Sequence, residues 1–503
     1  MLASASTFAL VGVDAVPITV EADIQTGLPV FTIVGLPDAA VQESRERVRA
    51  ALVNCGFEFP LRRITVNLAP ADLRKAGPGF DLALASAVLA ASGQVKRELL
   101  DSYAVCGELG LDGSIRPIRG ALVVADSAHR AKCRGLILPR SNVPEASLVS
   151  GLEVIGVERM NEVERFLAGA WRPASEAINP SEMLRDHSHT DHDFAEIRGH
   201  FGVKRALEVA AAGGHNALLL GPPGSGKSML ARRLPTILPP MTFQEALEVT
   251  RVHSVAGLLR GEALVARRPF RAPHHSISSA GLVGGGSPPA PGEASLAQHG
   301  VLFLDEFSEF PQSALDALRQ PLEEGSVCLT RAQRTVRFPT RFMLVAAANP
   351  CPCGLAGDPR RNCKCHIAVV RRHSARMRGP LIDRIDLQLR VDSPEKEELM
   401  SPESAQSSAE IRARVLAARR RQTERLAGTA ARCNADMNGW QIGRFCVLGT
   451  DERKTLLDAH DRGKLSARAH YRILRVARTL ADLAGRERID CNDVAEAISY
   501  RSL

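Results

Sequence analysis

The sequence has no uninterrupted apolar run near the ~20 residues that a membrane-spanning helix needs. Its first residues do not read as a basic-then-apolar secretory leader, so no membrane association and a cytoplasmic location are the expectations. Aromatic residues are only 4% of the chain, with 2 Trp and 3 Tyr, which argues against base stacking as the main grip on any nucleic acid. No internal repeat is visible. The 11 cysteines, in a cytosolic chain, are expected to be reduced thiols or metal ligands rather than disulfides.

What is present is a chain of 503 residues, too long for one compact core, so two to four domains are expected. A hydrophobic fraction of 45% and a charged fraction of 24% are ordinary for a globular protein. The net charge of +8 leans toward a polyanionic partner, met through backbone phosphates by Arg and Lys.

Residues 1–171 alternate strand-like and helical runs, including an Ile64–Leu68 strand and a buried Asp81–Ala91 helix. Residues 172–193, with Pro173, Pro180 and a His/Asp tract over 186–193, read as a linker or, less simply, as a metal-binding tract. Residues 194–391 alternate strands and helices as a parallel sheet covered on both faces requires. A polar, acidic hinge follows at 392–408, then an almost wholly helical segment at 409–503. That segment carries Arg412, Arg414, Arg419, Arg420, Arg421 and Arg425, a solvated helix face or a DNA contact.

The chemistry is concentrated in the middle. The apolar strand Ala217–Leu220 enters Gly221-Pro222-Pro223-Gly224-Ser225-Gly226-Lys227-Ser228, and a helix leaves it. This is the strand–loop–helix setting that an ATP phosphate-binding loop requires. Backbone N–H groups and the helix N-terminus cradle the phosphates. Lys227 is placed to reach the β- and γ-phosphates, and the Ser228 hydroxyl to coordinate Mg²⁺. Downstream, Val301–Leu304 is an apolar strand ending in Asp305, a second Mg²⁺ group, and Glu306, a group to polarise water. A further apolar strand, Phe342–Ala348, ends in Asn349, whose amide can orient water. Arg384 lies in an otherwise apolar turn, either as a finger entering a neighbouring subunit's site or as a partner of Asp383 or Asp386.

These residues carry a family resemblance running nearly end to end. Its most specific parts are Arg268-Pro269-Phe270-Arg271-Ala272-Pro273-His274-His275, Gly284-Gly285-Gly286 with Pro291-Gly292-Glu293, and Asn349-Pro350-Cys351-Pro352-Cys353-Gly354. The chain resembles the magnesium-chelatase-like AAA+ proteins of the ComM/YifB family. The resemblance implies a homo-hexameric ring of the clade shared with the MCM helicases and the chelatase ATPase subunit. It further implies ATP-driven helicase and branch-migration activity on single-stranded and branched DNA during natural transformation, with recombination proteins as partners. By the same resemblance Asp305 and Glu306 form Walker B, Asn349 is sensor 1, Arg384 is the trans finger and Arg468 is sensor 2, with Arg475 in reserve. Arg378 stands where the family usually has Ser. Residues 258–290 would hold the clade's helix-2 insert.

Val327–Thr330 and Thr335–Phe338 read as a two-stranded hairpin with Arg331 and Arg334 at its tip, the presensor-1 hairpin of the resemblance. Two arginines there suit DNA phosphate contact; pairing with Glu323 and Glu324 is the alternative. The fold class expected is therefore an α/β AAA+ core between an N-terminal α+β domain and a C-terminal helical lid. The first domain resembles the Lon protease C-terminal domain through Lys75–Asp81 and Gly107–Ile118. Gly79 stands at the protease's serine position and Leu122 at its lysine position, so neither nucleophile nor base is present. Cys351, Cys353, Cys363 and Cys365 are candidate ligands of one structural Zn²⁺, with His366 and His373 as substitutes, or else four unligated thiols. A chelatase-like ATPase remodelling a protein complex is the alternative function, and a regulatory ATPase without translocation is a third.

Overall fold

The computed structural model describes residues 1–174, 180–185, 192–259, 261–331, 334–357, 361–376, 381–393, 406–463 and 466–501. Arg378, the tract 186–191 and hinge residues 394–405 lie outside them, as do the side chains of Arg331 and Arg334.

The first sheet has seven strands, ordered Val30–Val34, Arg63–Ala69, Asp14–Gln25, Leu2–Val11, Tyr103–Val105, Gly135–Pro139 and Glu153–Val157. It is mixed, because the long Leu2–Val11/Asp14–Gln25 hairpin is antiparallel while Tyr103–Val105, Gly135–Pro139 and Glu153–Val157 add in parallel. Strand residues alternate between the two faces. Ala3, Ala5, Val105 and Ile137 join one apolar cluster with helix Asp81–Ser92, whereas Phe8, Ala104, Leu136 and Leu138 join another with helix Ala121–Arg130.

The second sheet is parallel throughout, ordered Phe270–Arg271, Val301–Leu304, Met343–Ala348, Ala217–Leu220 and Leu387–Arg390. Its central strands are apolar on both faces, as parallel strands covered on both sides must be. Val301, Phe303, Val345 and Leu219 face helices Phe201–Gly213 and Lys227–Ile237, while Leu302, Leu304, Leu344 and Ala346 face the side carrying Phe307 and Phe338.

The C-terminal helices Ser408–Arg425 and Ala467–Leu483 share the first of those cores through Ile411, Val415, Ile473 and Val476. Much of the arginine run faces protein rather than solvent. Arg414 pairs with Glu208, Arg419 Nη2 donates to Ala211 O at 3.0 Å, and Arg425 pairs with buried Asp482. Asp482 also takes Arg478 and Asn434, so its desolvation is offset by three donors.

The first two modules meet along helices Ala121–Arg130 and Phe243–Ala256. Leu122 and Leu148 share an apolar cluster there with Met241, Ala246, Val249 and Leu264. Gly120 N donates to Ser254 O at 3.0 Å, and Ser254 Oγ to buried Glu145 at 2.5 Å. Burial pushes the Glu145 carboxyl up from the ordinary range. Within 172–193, Pro180–Arg185 is a short helix whose Met183 and Leu184 pack on this cluster, so apolar contact orders part of the expected linker. A second contact joins the turn at Gly12 (φ +65°) to Val336; a Cβ there would collide with that valine.

Because Leu122 is fully buried at this junction, Leu122→Ala should cost about 2–5 kcal/mol. Limited proteolysis of the 172–193 segment should accelerate in that variant. Unchanged cleavage would show that this cluster does not hold the modules together.

Candidate active site

Strand Ala217–Leu220 delivers the chain into the glycine loop, and helix Lys227–Ile237 carries it away. Gly224 (φ +79°) and Gly226 (φ +85°) need the left-handed region that a side chain disfavours. Lys227 Nζ donates to Gly221 O and Pro222 O, both at 2.7 Å, and to Asn349 Oδ1 at 3.2 Å. Burial lowers the Lys227 pKa, partly offset by the charge of Asp305. An ammonium held by neutral carbonyls in a partly desolvated loop is poised to exchange them for phosphate oxygens. Ser228 Oγ donates to Asp305 Oδ2 at 2.7 Å, bringing together the two oxygen groups that fit a hard divalent cation.

Glu306 follows at the end of Val301–Leu304 with φ +53°, an uncommon backbone for a residue with a side chain. Its N–H donates to Asp305 Oδ1 at 3.0 Å, and its carboxylate meets His275 Nδ1 at 3.0 Å. His275 follows the edge strand Phe270–Arg271, which pairs with Val301–Leu304 and is anchored by the two-pronged Arg271–Glu293 contact. His275 closes the Arg268–His275 motif, but nothing in the sequence marks Glu306 as its partner. Asn349 is held from behind, since His373 Nε2 bonds to its carbonyl at 2.9 Å. His373 is thus committed to the Asn349 backbone.

Arg384 lies in the turn Ile382–Arg384 and pairs with Glu323 of helix Arg319–Glu324. Asp386, one expected partner, is instead occupied by Arg472 at 2.9 Å, the Asn216 N–H at 3.1 Å and His215 at 3.6 Å. Burial alone would raise the Asp386 carboxyl, but the His215 hydrogen bond and the charges of Arg472 and Arg475 hold it far below its ordinary range. Glu324 accepts from Gln320 one turn earlier on the same helix, so Glu323 and Glu324 both have partners outside the hairpin. Arg468 is exposed in the first turn of Ala467–Leu483 and makes no hydrogen bond or ion pair among the described residues. The reserve residue Arg475 is spent inside the lid, where it donates to Met437 O. Strands Ser326–Arg331 and Arg334–Pro339 pair antiparallel, with Arg331 opposite Arg334 at the closing end.

The Sγ atoms of Cys351, Cys353, Cys363 and Cys365 all lie within 4.8 Å of one another. Cys351–Cys353 is 3.4 Å, Cys353–Cys363 3.6 Å and Cys351–Cys363 3.7 Å. Zn–S bonds of ~2.3 Å in a tetrahedron place sulfurs roughly 3.8 Å apart, so the set fits one Zn²⁺. Without a metal the thiols share their protons unevenly: the Leu355 N–H and the neighbouring thiols pull Cys353 down, while Cys363 and Cys365 are pushed up.

The description "Magnesium chelatase, subunit ChlI" matches residues 193–399, "Subunit ChlI of Mg-chelatase" matches 20–142, and the ChlI C-terminal description matches 405–501. An uncharacterized protein of Mycobacterium tuberculosis is 45% identical over 502 residues, covering 99% of this chain and 98% of that protein. YifB of Salmonella typhimurium is 43% identical over 508 residues, 100% and 97% respectively. Competence protein ComM of Haemophilus influenzae is 43% identical over 501 residues, 98% and 96%. The chain belongs to the ComM/YifB family of magnesium-chelatase-like AAA+ proteins.

The first domain is also similar to the Lon protease of Chloroflexus aurantiacus, at 34% identity over 133 residues, 25% of this chain and 16% of that protein. Gly79 sits in the turn Pro78–Phe80 and Leu122 is buried at the module junction, so neither position offers a hydroxyl or an amine. Among the described residues, no helix is long and apolar enough to cross a membrane.

The loop geometry predicts that Lys227→Ala weakens binding of a fluorescent ATP analogue at least ~10-fold, the loss of one charge-assisted contact. Titration with unchanged thermal melting checks it; unaltered affinity would put the phosphates elsewhere.

Proposed function

We propose that the chain is an ATP-driven motor on DNA, a homo-hexameric helicase and branch-migration enzyme that helps integrate single-stranded DNA in natural transformation. The observation that carries this reading is the convergence of Lys227, Ser228, Asp305 and Asn349 at one end of a parallel sheet, in a module that also bears a hairpin tipped by Arg331 and Arg334. The competence name of the Haemophilus influenzae relative supports the setting. On this reading residues 1–171 form the Lon-like domain without its catalytic dyad, 194–391 the motor and 409–503 the lid, joined by a linker at 172–193 and a hinge at 392–408. The protein works in the cytoplasm on single-stranded and branched DNA, alongside recombination proteins.

Residues 221–228 bind ATP, and Ser228 and Asp305 are the residues that would hold Mg²⁺. That ion neutralises charge on the phosphates. Lys227 leaves the carbonyls of Gly221 and Pro222 for the phosphate oxygens. Glu306 draws a proton from the attacking water, which Asn349 orients. Arg384 reaches the neighbouring subunit's site, and Arg468 is the sensor 2 arginine. Glu323 covers Arg384 in the single chain, and His275 holds the Glu306 carboxylate. Cys351, Cys353, Cys363 and Cys365 bind a structural Zn²⁺. The chelatase descriptions favour a second reading, a remodelling ATPase acting on a protein complex, and stimulation by single-stranded DNA separates the two.

Glu306→Gln should bind ATP normally but turn over ~10²–10⁴-fold more slowly, since only proton transfer is lost. A phosphate-release assay at wild-type rate would remove Glu306 from the role of base.

Arg331→Ala with Arg334→Ala should abolish strand displacement on a forked duplex while basal ATPase persists. The salt dependence should flatten by roughly 0.7 in log K per log salt for each lost single-strand contact. Wild-type unwinding with an unchanged slope would place the DNA grip elsewhere.

A further inference from the structure

Beyond the fully buried Cys351, the described residues of the cysteine loop have little apolar burial to hold them. Cys353 is exposed, Cys363 and Cys365 are half-buried, and Ile367 and Val369 in the following helix are 64% and 42% exposed. Thiol–thiol contacts are weak hydrogen bonds and cannot fix such a loop. Even so, the loop forms a wall of the nucleotide site. Gly354 (φ +79°) lies so close to Pro223 of the phosphate loop that a Cβ would collide with the proline ring. Arg390 donates to Gly357 O, tying the loop to strand Leu387–Arg390 beside the same pocket.

Asn349 sits between these constraints. Cys351 is two residues beyond it, and His373, on the helix Ile367–Arg376 that follows Cys365, holds its carbonyl at 2.9 Å. Its side chain contacts Lys227 at 3.2 Å. A bond set joining Cys351 and Cys353 to Cys363 and Cys365 would therefore clamp the Asn349 backbone from both directions. Four thiolates favour zinc among the available divalent cations, and sulfurs this close suit a single ion.

We propose that one Zn²⁺ held by Cys351, Cys353, Cys363 and Cys365 positions Asn349 against the terminal phosphate, so that metal occupancy sets the rate of ATP turnover and not the affinity for nucleotide. This deepens the ATPase reading above and rests on it. Asn349 touches the substrate, and the four cysteines act through it as positioning residues.

The test uses the full-length protein. Elemental analysis should give about one zinc per chain, and Co²⁺ loading should give thiolate charge-transfer and tetrahedral visible bands. Cys363→Ser should lose the metal and lower kcat roughly 10- to 100-fold, while the Kd for a fluorescent ATP analogue stays within about twofold. Cys363→His should keep zinc and most of kcat, because zinc accepts three sulfurs and one imidazole. Circular dichroism and melting establish that each variant is folded. A wild-type protein that is active and free of metal overturns the zinc site. A zinc-free Cys363→Ser protein with wild-type kcat overturns the coupling alone, and equal losses in affinity and kcat mean pocket collapse instead of positioning. Zinc-loaded wild type with no ATPase, alone or with DNA, overturns the reading on which the proposal rests.

Discussion

Lys227 marks the point where three strands of the parallel sheet finish together. Leu220 pairs with Ala348 and Leu304 with Ala346, so Gly221 and Asn349 emerge side by side and Asp305 emerges one pleat earlier on the neighbouring strand. That register is what lets a single ammonium touch both the glycine loop and Asn349 while Ser228 reaches Asp305. A slip of one residue would turn every inward side chain to the other face and disperse the group. The apolar residues on both faces that fix the register are thus as much a part of the site as its polar atoms.

This part was legible in sequence because it is local. An apolar run of strand length, a glycine loop and a helix lie within a few residues of each other, and each constrains the next. The strands ending in Asp305 and Asn349 could be read from their apolar content alone. The parallel core, the Lon-like similarity of the first domain and the helical C-terminal region agree with the fold class read from the chain.

What escaped were pairings between distant segments. Neither His275 against Glu306 nor Glu323 against Arg384 carries a periodicity or a spacing signal. The arginine-rich helix shows a related limit: composition reveals a cationic face but not what covers it. Here Glu208, the Ala211 carbonyl and Asp482 do so. Leu122 was legible as the absence of a protease lysine, yet its present use, in the apolar seam between modules, needed the fold to be seen.

The contact between Gly12 and Val336 has a mechanical consequence. The turn of the first long hairpin bears on a strand of the second, with no room even for a methyl group between them. A lever braced at that strand pivots beyond it, so the reach of the Arg331–Arg334 end is set by the short length of ladder past the brace. In a motor of the proposed kind, a first domain with neither hydroxyl nor amine at the protease positions would still serve as a fulcrum, and step size would become a property of the junction between domains.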